Sequence, residues 1–213
     1  MVIFHLCFNL QHFKFIDINI YSSPFWHYFR YTILSIFLLC VGISLYLANK
    51  NNINYEKVLK RFALLFIASL AITLVTYFIF PNTWIYFGVL HFIALASIFG
   101  LLFVAIPRTS LFLGIVIILA WNLDIISMHW LYDFTREIID LPRRTEDLVP
   151  FTPWFGVVLI GIYIGVKEAF IFNIKQYPVV KTVALFGKHS LFIYLVHQPI
   201  LFGSIFLAHQ LLH

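Results

Sequence analysis

Six apolar runs dominate the chain, and each is about as long as the roughly 20-residue helix that crosses a bilayer core. They cover residues 29–48, 62–80, 88–106, 110–128, 151–170 and 190–208. In lipid the backbone must form its hydrogen bonds internally, which leaves the α-helix or the closed β-barrel. The runs are continuously apolar and do not alternate at every second residue, which disfavours a barrel. The sequence therefore predicts an all-α, polytopic transmembrane helix bundle with six full spans.

The composition excludes a soluble domain and gives no support for several other classes. Of the 213 residues 62% are hydrophobic and only 11% are charged, and the mean hydropathy is +0.94. The net charge of +5 lies in short loops between apolar runs, so it indicates membrane lipid and topology rather than nucleic acid as the partner. Cys7 and Cys40 each lie in an apolar stretch, which supports neither a disulfide framework nor a metal site. Phosphate-binding glycine loops and nucleophile elbows are absent from the sequence.

Loop charge predicts the orientation of the bundle. Alternate connections hold nine of the 14 basic residues, namely Lys50, Lys57, Lys60, Arg61, Arg108, Lys167, Lys175, Lys181 and Lys188. Connections rich in Lys and Arg stay in the cytoplasm. The other side then carries residues 14–28, the turn "PNTWIYFG" and the acid-bearing loop after the fourth run, which also holds three arginines.

The chain opens with "MVIFHLCFNL", an apolar segment of half length. Ten residues reach only about 15 Å as a helix, yet the predicted orientation needs a helix that enters from the cytoplasm and ends near Leu10. A signal peptide is disfavoured because there is no basic region before the run and no small-residue cleavage site. We therefore expect a truncated first helix, with the true start upstream. Residues 1–213 are expected to form a single membrane-embedded domain.

Polar residues within this segment and the runs are candidates for function. His5, Asn9 and His12 share one helix face, being four and then three residues apart. Polar side chains in lipid turn toward the bundle interior, a water-filled cavity or a partner. A purely interhelical hydrogen-bonding role for His5 and Asn9 stays open beside a functional one.

Further polar residues lie on the outer side of the predicted bundle and toward its cytoplasmic side. They are His91, Asn122, Asp124 and Asp147 on the outer side, His189 directly before the last run, and His197 within it. His189 is at the cytoplasmic end, and His197 is about 12 Å deeper on the same face. This distribution favours a cavity reached from both sides, although each histidine taken singly also fits a packed structural role, and Asn122 and Asp124 fit pairing equally well.

Five segments in order carry a family resemblance. They are "MVIFHLCFNL", "FLLCVGISLYLA", "YFGVLHFIALASIF", "DLVPFTPWFGVVLIGIYIG" and "GKHSLFIYLVHQPIL", between Met1 and about Leu201. They resemble signature segments of bacterial membrane proteins related to the heparan-α-glucosaminide N-acetyltransferase catalytic domain. The resemblance implies an integral protein of the bacterial inner (cytoplasmic) membrane. Members usually carry an Arg-Gly-containing segment ahead of the "MVIFH" equivalent, in agreement with a truncated first helix.

The resemblance implies transfer of an acetyl or other acyl group from cytoplasmic acyl-CoA. The acceptor is an amine or hydroxyl of a glycan or lipid-linked sugar on the other side. Imidazole suits the base because its pKa lies near neutral. Relatives often have Asp in place of Asn9, and the eukaryotic enzyme's catalytic histidine lies in the outer loop, where only His12 or His27 stands here. The base is thus open between His5 and His27.

The candidate residues follow from this chemistry. The catalytic candidates are His5, Asn9, His91, Asp147 and His27, and the candidates for binding the coenzyme are Arg61, Lys60, Arg108, Lys188, His189 and His197. Cations suit the coenzyme's phosphates, although topology and lipid headgroups explain the same charges. Asp147 orients a histidine or binds the sugar, or else it caps the following helix or pairs with Arg143 or Arg144. No resident metal is expected.

Two other classes of protein stay open. A small-solute or proton-coupled transporter also places polar residues in the membrane, but paired broken helices in two halves are absent from the sequence. A non-catalytic membrane subunit explains Asn9 in place of Asp. A homo-oligomer is compatible with each class.

N-terminal sequencing of the native protein tests the expected truncation of the first helix. We expect residues ahead of Met1, because the segment up to Leu10 is too short to span a bilayer. An intact native start at Met1 would contradict this expectation.

Overall fold

The computed structural model describes residues 1–20, 22–127, 132, 134–136, 141–142, 145, 147–167 and 178–212, without the side chains of 178–181 and 188. Every element with defined bounds in these ranges is a helix. The helices are α1 (Val2–His12), α2 (Pro24–Asn49), α3 (Tyr55–Ile79), α4 (Val89–Val104), α5 (Pro107–Asn122), α6 (Phe151–Val166), α7 (Pro178–Lys188) and α8 (Ser190–Leu212). The predicted all-α fold is confirmed.

The helices differ in how well they match the length of a membrane span. Among the described helices, α2, α3 and α8 are long and apolar enough to cross a membrane. The apolar helices α4, α5 and α6 have 16 residues each, or about 24 Å. Six full spans therefore stay a prediction.

Local backbone chemistry shortens α4 and α5 relative to the apolar runs. Pro107 begins α5 and disfavours a helical conformation at Ile106, so α4 ends at Val104. At the other end of α5, Asp124 adopts a left-handed conformation with φ 54°. The Asp124 N–H donates to the Trp121 carbonyl at 3.1 Å, and the Ile125 N–H donates to the Ala120 carbonyl at 2.9 Å. These two bonds form a Schellman motif that stops the helix.

The described chain divides into two compact units, Met1–Leu34 with Ile171–His213, and Ser35–Phe170. In the first unit α1 and α8 pack in parallel, because contacts along the two helices advance together. The His5 ring lies 5.1 Å from the His197 ring, and the Phe13 ring lies 5.1 Å from the Phe202 ring. Parallel packing agrees with the predicted orientation, in which both helices run outward from the cytoplasm.

The end of α1 is defined by its own backbone. Lys14 has φ 60°, and its N–H donates to the Gln11 carbonyl at 2.9 Å. The Phe15 N–H donates to the Leu10 carbonyl, also at 2.9 Å. This second Schellman motif ends α1 at the point where the predicted outer segment begins.

In the second unit α6 makes very close approaches to its neighbours at glycines. A Cβ added at Gly161 would lie 2.5 Å from the Leu39 carbonyl oxygen of α2, and one added at Gly42 would meet the Val158 carbonyl oxygen. A Cβ at Gly156 would lie 2.7 Å from the Gly114 carbonyl oxygen of α5. Small residues allow this approach, which drives helix association in lipid through van der Waals packing.

A hydrogen bond reinforces the contact between α5 and α6. The fully buried Ser110 hydroxyl donates to the Leu159 carbonyl oxygen at 2.7 Å. The bond pairs a polar group that lipid would leave unsatisfied. The glycines and this serine make α6 the helix around which the second unit is packed.

Substitution of Gly161 tests the close crossing of α2 and α6. We expect Gly161→Ala to lower the free energy of unfolding by about 1–3 kcal/mol, since the new methyl group overlaps backbone atoms that must shift. Thermal unfolding in detergent measures the effect. Gly203→Ala in α8 is the matched control, because nothing lies within 4 Å of its Cβ position. An equal loss in both variants would contradict the crossing.

Candidate active site

The α1–α8 pair holds a cluster of polar side chains that we call the amide–imidazole cluster: His5, Asn9, His197 and Gln198. His5 and Asn9 are one helical turn apart on α1, and His197 and Gln198 directly precede Pro199 on α8. Asn9 is only 1% exposed, and His5 is half-buried. All four residues belong to the first compact unit.

The hydrogen bonds of His197 determine which ring nitrogen carries the proton. Nδ1 lies 2.6 Å from the Tyr194 carbonyl oxygen and 3.1 Å from the Ile193 carbonyl oxygen. Carbonyl oxygens only accept hydrogen bonds, so Nδ1 carries the hydrogen and donates it. Nε2 of the neutral ring therefore presents a lone pair. This atom is buried and has no hydrogen-bond partner within the described residues.

The two amides of the cluster leave further polar atoms unpaired. Gln198 Nε2 donates to Asn9 Oδ1 at 3.4 Å. Asn9 Nδ2 and Gln198 Oε1 are buried and lack a partner within the described part of the chain. Buried polar atoms are rarely left in this state, because each costs about 1–3 kcal/mol. The cluster therefore offers a lone pair, an N–H donor and a carbonyl acceptor to a bound molecule.

Aromatic rings surround the two histidines. The His5 ring is tilted by 58° against the His197 ring, and it makes a T-shaped contact with Phe4 at a centroid distance of 5.7 Å. Tyr194 lies 5.6 Å from His197 on the same helix. These contacts hold both imidazoles in a largely apolar setting, where a hydrogen bond or a charge has a stronger effect than in water.

Sequence reasoning reached most of this cluster and missed one member. His5 and Asn9 were predicted as catalytic, and His197 was predicted to bind the coenzyme. The structure places all three together. Gln198 was missed. The sequence signal that identifies it is its position as a polar residue in the middle of an apolar run, beside His197.

His91, the next catalytic candidate, lies at the N-terminus of α4 in the second unit, where both ring nitrogens are engaged. The Gly88 N–H donates to Nδ1 at 3.2 Å, so the hydrogen of the neutral ring is on Nε2. Nε2 lies 3.1 Å from the Thr73 hydroxyl oxygen, whose own hydrogen goes to the Ile85 carbonyl oxygen at 2.8 Å. His91 thus links the start of α4 to α3 and to the intervening turn.

Asp147 lies at the same helix terminus. Its Oδ2 accepts a hydrogen bond from the Val89 N–H at 3.3 Å. A carboxylate at a helix N-terminus pairs a backbone donor and complements the helix dipole. One predicted structural role was a cap on the following helix, α6; the structure instead shows a cap on α4, because the 147–149 segment lies beside Phe87 and Gly88. The other predicted role, pairing with Arg143 or Arg144, involves residues outside the described ones. The catalytic roles of His91 and Asp147 stay predictions.

An aromatic cluster lies near this terminus, on the predicted outer side. The Tyr86 ring lies 5.8 Å from Trp84 and 6.3 Å from Tyr132. Burial, and secondarily the neighbouring Tyr132, raises the pKa of Tyr86 to about 12. Tyr86 is therefore protonated throughout the neutral range.

The other candidates are at exposed positions. His27 lies on α2 with its ring 4.4 Å from Tyr31, and Lys60 forms an exposed ion pair with Glu56 at 2.6 Å. Arg61, Arg108 and His189 are exposed, and the side chain of Lys188 is outside the described ones. Among the described residues, no group of three or more His, Cys, Asp or Glu is arranged to hold a metal ion.

Asn122 and Asp124 have local structural roles. The Asn122 amide donates to the Ile118 carbonyl oxygen at 2.8 Å. Asp124 provides the left-handed residue that ends α5. Both contacts belong to the C-terminus of a single helix.

Apolar helices of spanning length define an integral membrane protein, and its first unit contains a buried polar cluster. The family model described as "Heparan-alpha-glucosaminide N-acetyltransferase, catalytic" matches residues 1–199. The chain belongs to this family, a family of membrane acetyltransferases, and the predicted resemblance is confirmed. No curated protein and no solved structure matches the chain significantly.

Substitution of Thr73 tests the hydrogen-bonded link between α3 and His91. We expect Thr73→Val to lower the free energy of unfolding by about 1–3 kcal/mol, because the His91 Nε2–H and the Ile85 carbonyl lose the hydroxyl that they share. Thermal unfolding in detergent measures the change. Thr109→Val makes the same substitution at an exposed position of α5. A stability of Thr73→Val equal to that of this control would contradict the link.

Proposed function

We propose that the protein is a membrane-bound acyltransferase. It moves an acetyl or other acyl group from cytoplasmic acyl-CoA to an amine or hydroxyl of an extracytoplasmic glycan or lipid-linked sugar. Family membership supports a transferase. The observation that carries the proposal is an imidazole lone pair buried together with an amide N–H donor, both of which lack a partner among the described residues.

These two atoms match what acyl transfer requires. The acceptor's nitrogen or oxygen attacks the thioester carbonyl, and a new C–N or C–O bond forms. An imidazole at the site takes the proton that the acceptor loses. The carbonyl oxygen becomes negatively charged, and the Asn9 Nδ2–H donates to it. The C–S bond then breaks, and the coenzyme A thiolate leaves and takes up the proton.

The coenzyme is proposed to bind from the cytoplasmic side. Lys60, Arg61 and Arg108 are exposed on helices that the loop charges place at that surface, where their cations suit phosphates. Lys188 and His189 precede α8 on the same predicted side. The acceptor is proposed to come from the opposite side of the membrane. We place the protein in a bacterial inner membrane and propose that residues 1–213 form one domain.

Acyl transfer across inverted membrane vesicles tests the function. Labelled acetyl-CoA is added outside, at the exposed cytoplasmic face, and an amino sugar is enclosed. We expect label in the sugar, and a rate lower by about 10²–10³-fold for Asn9→Ala, since that variant lacks the donor for the oxyanion. His5→Ala serves as a second variant that breaks the imidazole pair.

Gln210→Ala is the control, because Gln210 is an exposed amide on α8. It is expected to transfer at the wild-type rate. An absence of transfer by the wild type with several acyl-CoA donors and with amino and hydroxyl acceptors would contradict the function. A transporter or a non-catalytic subunit would then be favoured.

A further inference from the structure

We propose that His197 is the catalytic base of the amide–imidazole cluster and that Gln198 is a positioning residue for Asn9. The inference rests on the proposed acyltransferase function and assigns its proton transfer to one atom, His197 Nε2. Sequence reasoning had placed His197 with the coenzyme-binding residues and had left the base open between His5 and His27.

The helix itself prepares His197 for this role. A general base needs a lone pair directed at the substrate, and the other ring nitrogen must hold the tautomer and the orientation. The carbonyl oxygens of Ile193 and Tyr194 perform that second task at 3.1 Å and 2.6 Å from Nδ1. They lie in the preceding turn of the same helix, so the ring is oriented by local structure alone.

The environment of Nε2 marks it as a reacting atom. It is buried and unpaired among the described residues, in contrast to His91, where both ring nitrogens are engaged. A lone pair without a protein partner is free to accept the proton of a bound acceptor. His27 is exposed and lies against Tyr31, so it lacks such a buried setting.

His5 is the second imidazole of the amide–imidazole cluster. Its ring centroid is 5.1 Å from that of His197. His5 thus lies beside the ring that takes up the acceptor's proton in the proposed reaction. That proton arrives from the acceptor on His197 Nε2 and leaves with the coenzyme A thiolate, which returns the ring to its neutral form.

Gln198 acts through Asn9. Its Nε2 donates to Asn9 Oδ1, which holds the Asn9 carboxamide in one orientation. In that orientation the Nδ2–H of Asn9 has no partner within the described part of the chain and is available to the oxyanion. Because Gln198 follows His197 directly in α8, base and oxyanion donor are positioned by the same helical turn.

The test is His197→Asn in the vesicle assay. Asparagine retains an N–H donor for the Ile193 and Tyr194 carbonyls but has no counterpart of Nε2. We expect kcat to fall by about 10²–10⁴-fold, while the Kd for acetyl-CoA stays within about threefold of wild type. His209→Asn, three turns farther along α8, is the matched control and should retain the wild-type kcat. Gln198→Leu should lower kcat without changing the pH profile.

The outcomes distinguish a failure of the acyltransferase function from a failure of the assignment of His197 as its base. No transfer by the wild type overturns the acyltransferase function and this inference with it. Transfer by the wild type with an unchanged kcat in His197→Asn overturns the inference alone, as does a loss explained by weaker acetyl-CoA binding. If His197→Asn fails to fold, ¹⁵N NMR of histidine-labelled wild type decides: a hydrogen on Nδ1 and none on Nε2 is expected, and the reverse tautomer overturns the assignment.

Discussion

Lipid supplies no hydrogen bonds, so polar groups within these helices depend on partners inside the protein. Ser110 finds a carbonyl of the neighbouring helix, and His91 finds the Gly88 N–H on one side and Thr73 on the other. Each of these pairs ties one structural element to the next. The same constraint applies to Asn9, His197 and Gln198, each of which has a buried polar atom without a partner among the described residues, at a cost in stability.

Helix association here depends on shape as well as on polar pairing. Apolar side chains gain little by leaving lipid for one another, so close packing must supply the attraction between helices. The glycines of α6 at positions 156 and 161 remove the side chains that would separate it from α5 and α2. The resulting backbone contacts bring the Ser110 hydroxyl within reach of the Leu159 carbonyl oxygen.

The sequence predicted the helices well and their ends less well. Apolar runs identify helices because lipid permits few other structures, but local backbone chemistry decides where each helix stops. Pro107 shortens α4, and the left-handed Asp124 ends α5 before its apolar run is over. Helix α7 was missed because Pro178–Lys188 carries polar and basic residues and does not form a spanning run. For the site, the spacing of His5 and Asn9 was sufficient to place them on one face.

The sequence by itself determined the helical class, the membrane setting, the family and the polar face of α1. These depend on composition, on helical periodicity and on motifs, all of which are local. Only the tertiary structure decided that His197 and Gln198 lie against His5 and Asn9, and that Asp147 caps α4 rather than α6. Such pairings join residues far apart in the chain. They depend on which helix faces pack together, and uniformly apolar helices carry little sequence signal for that choice.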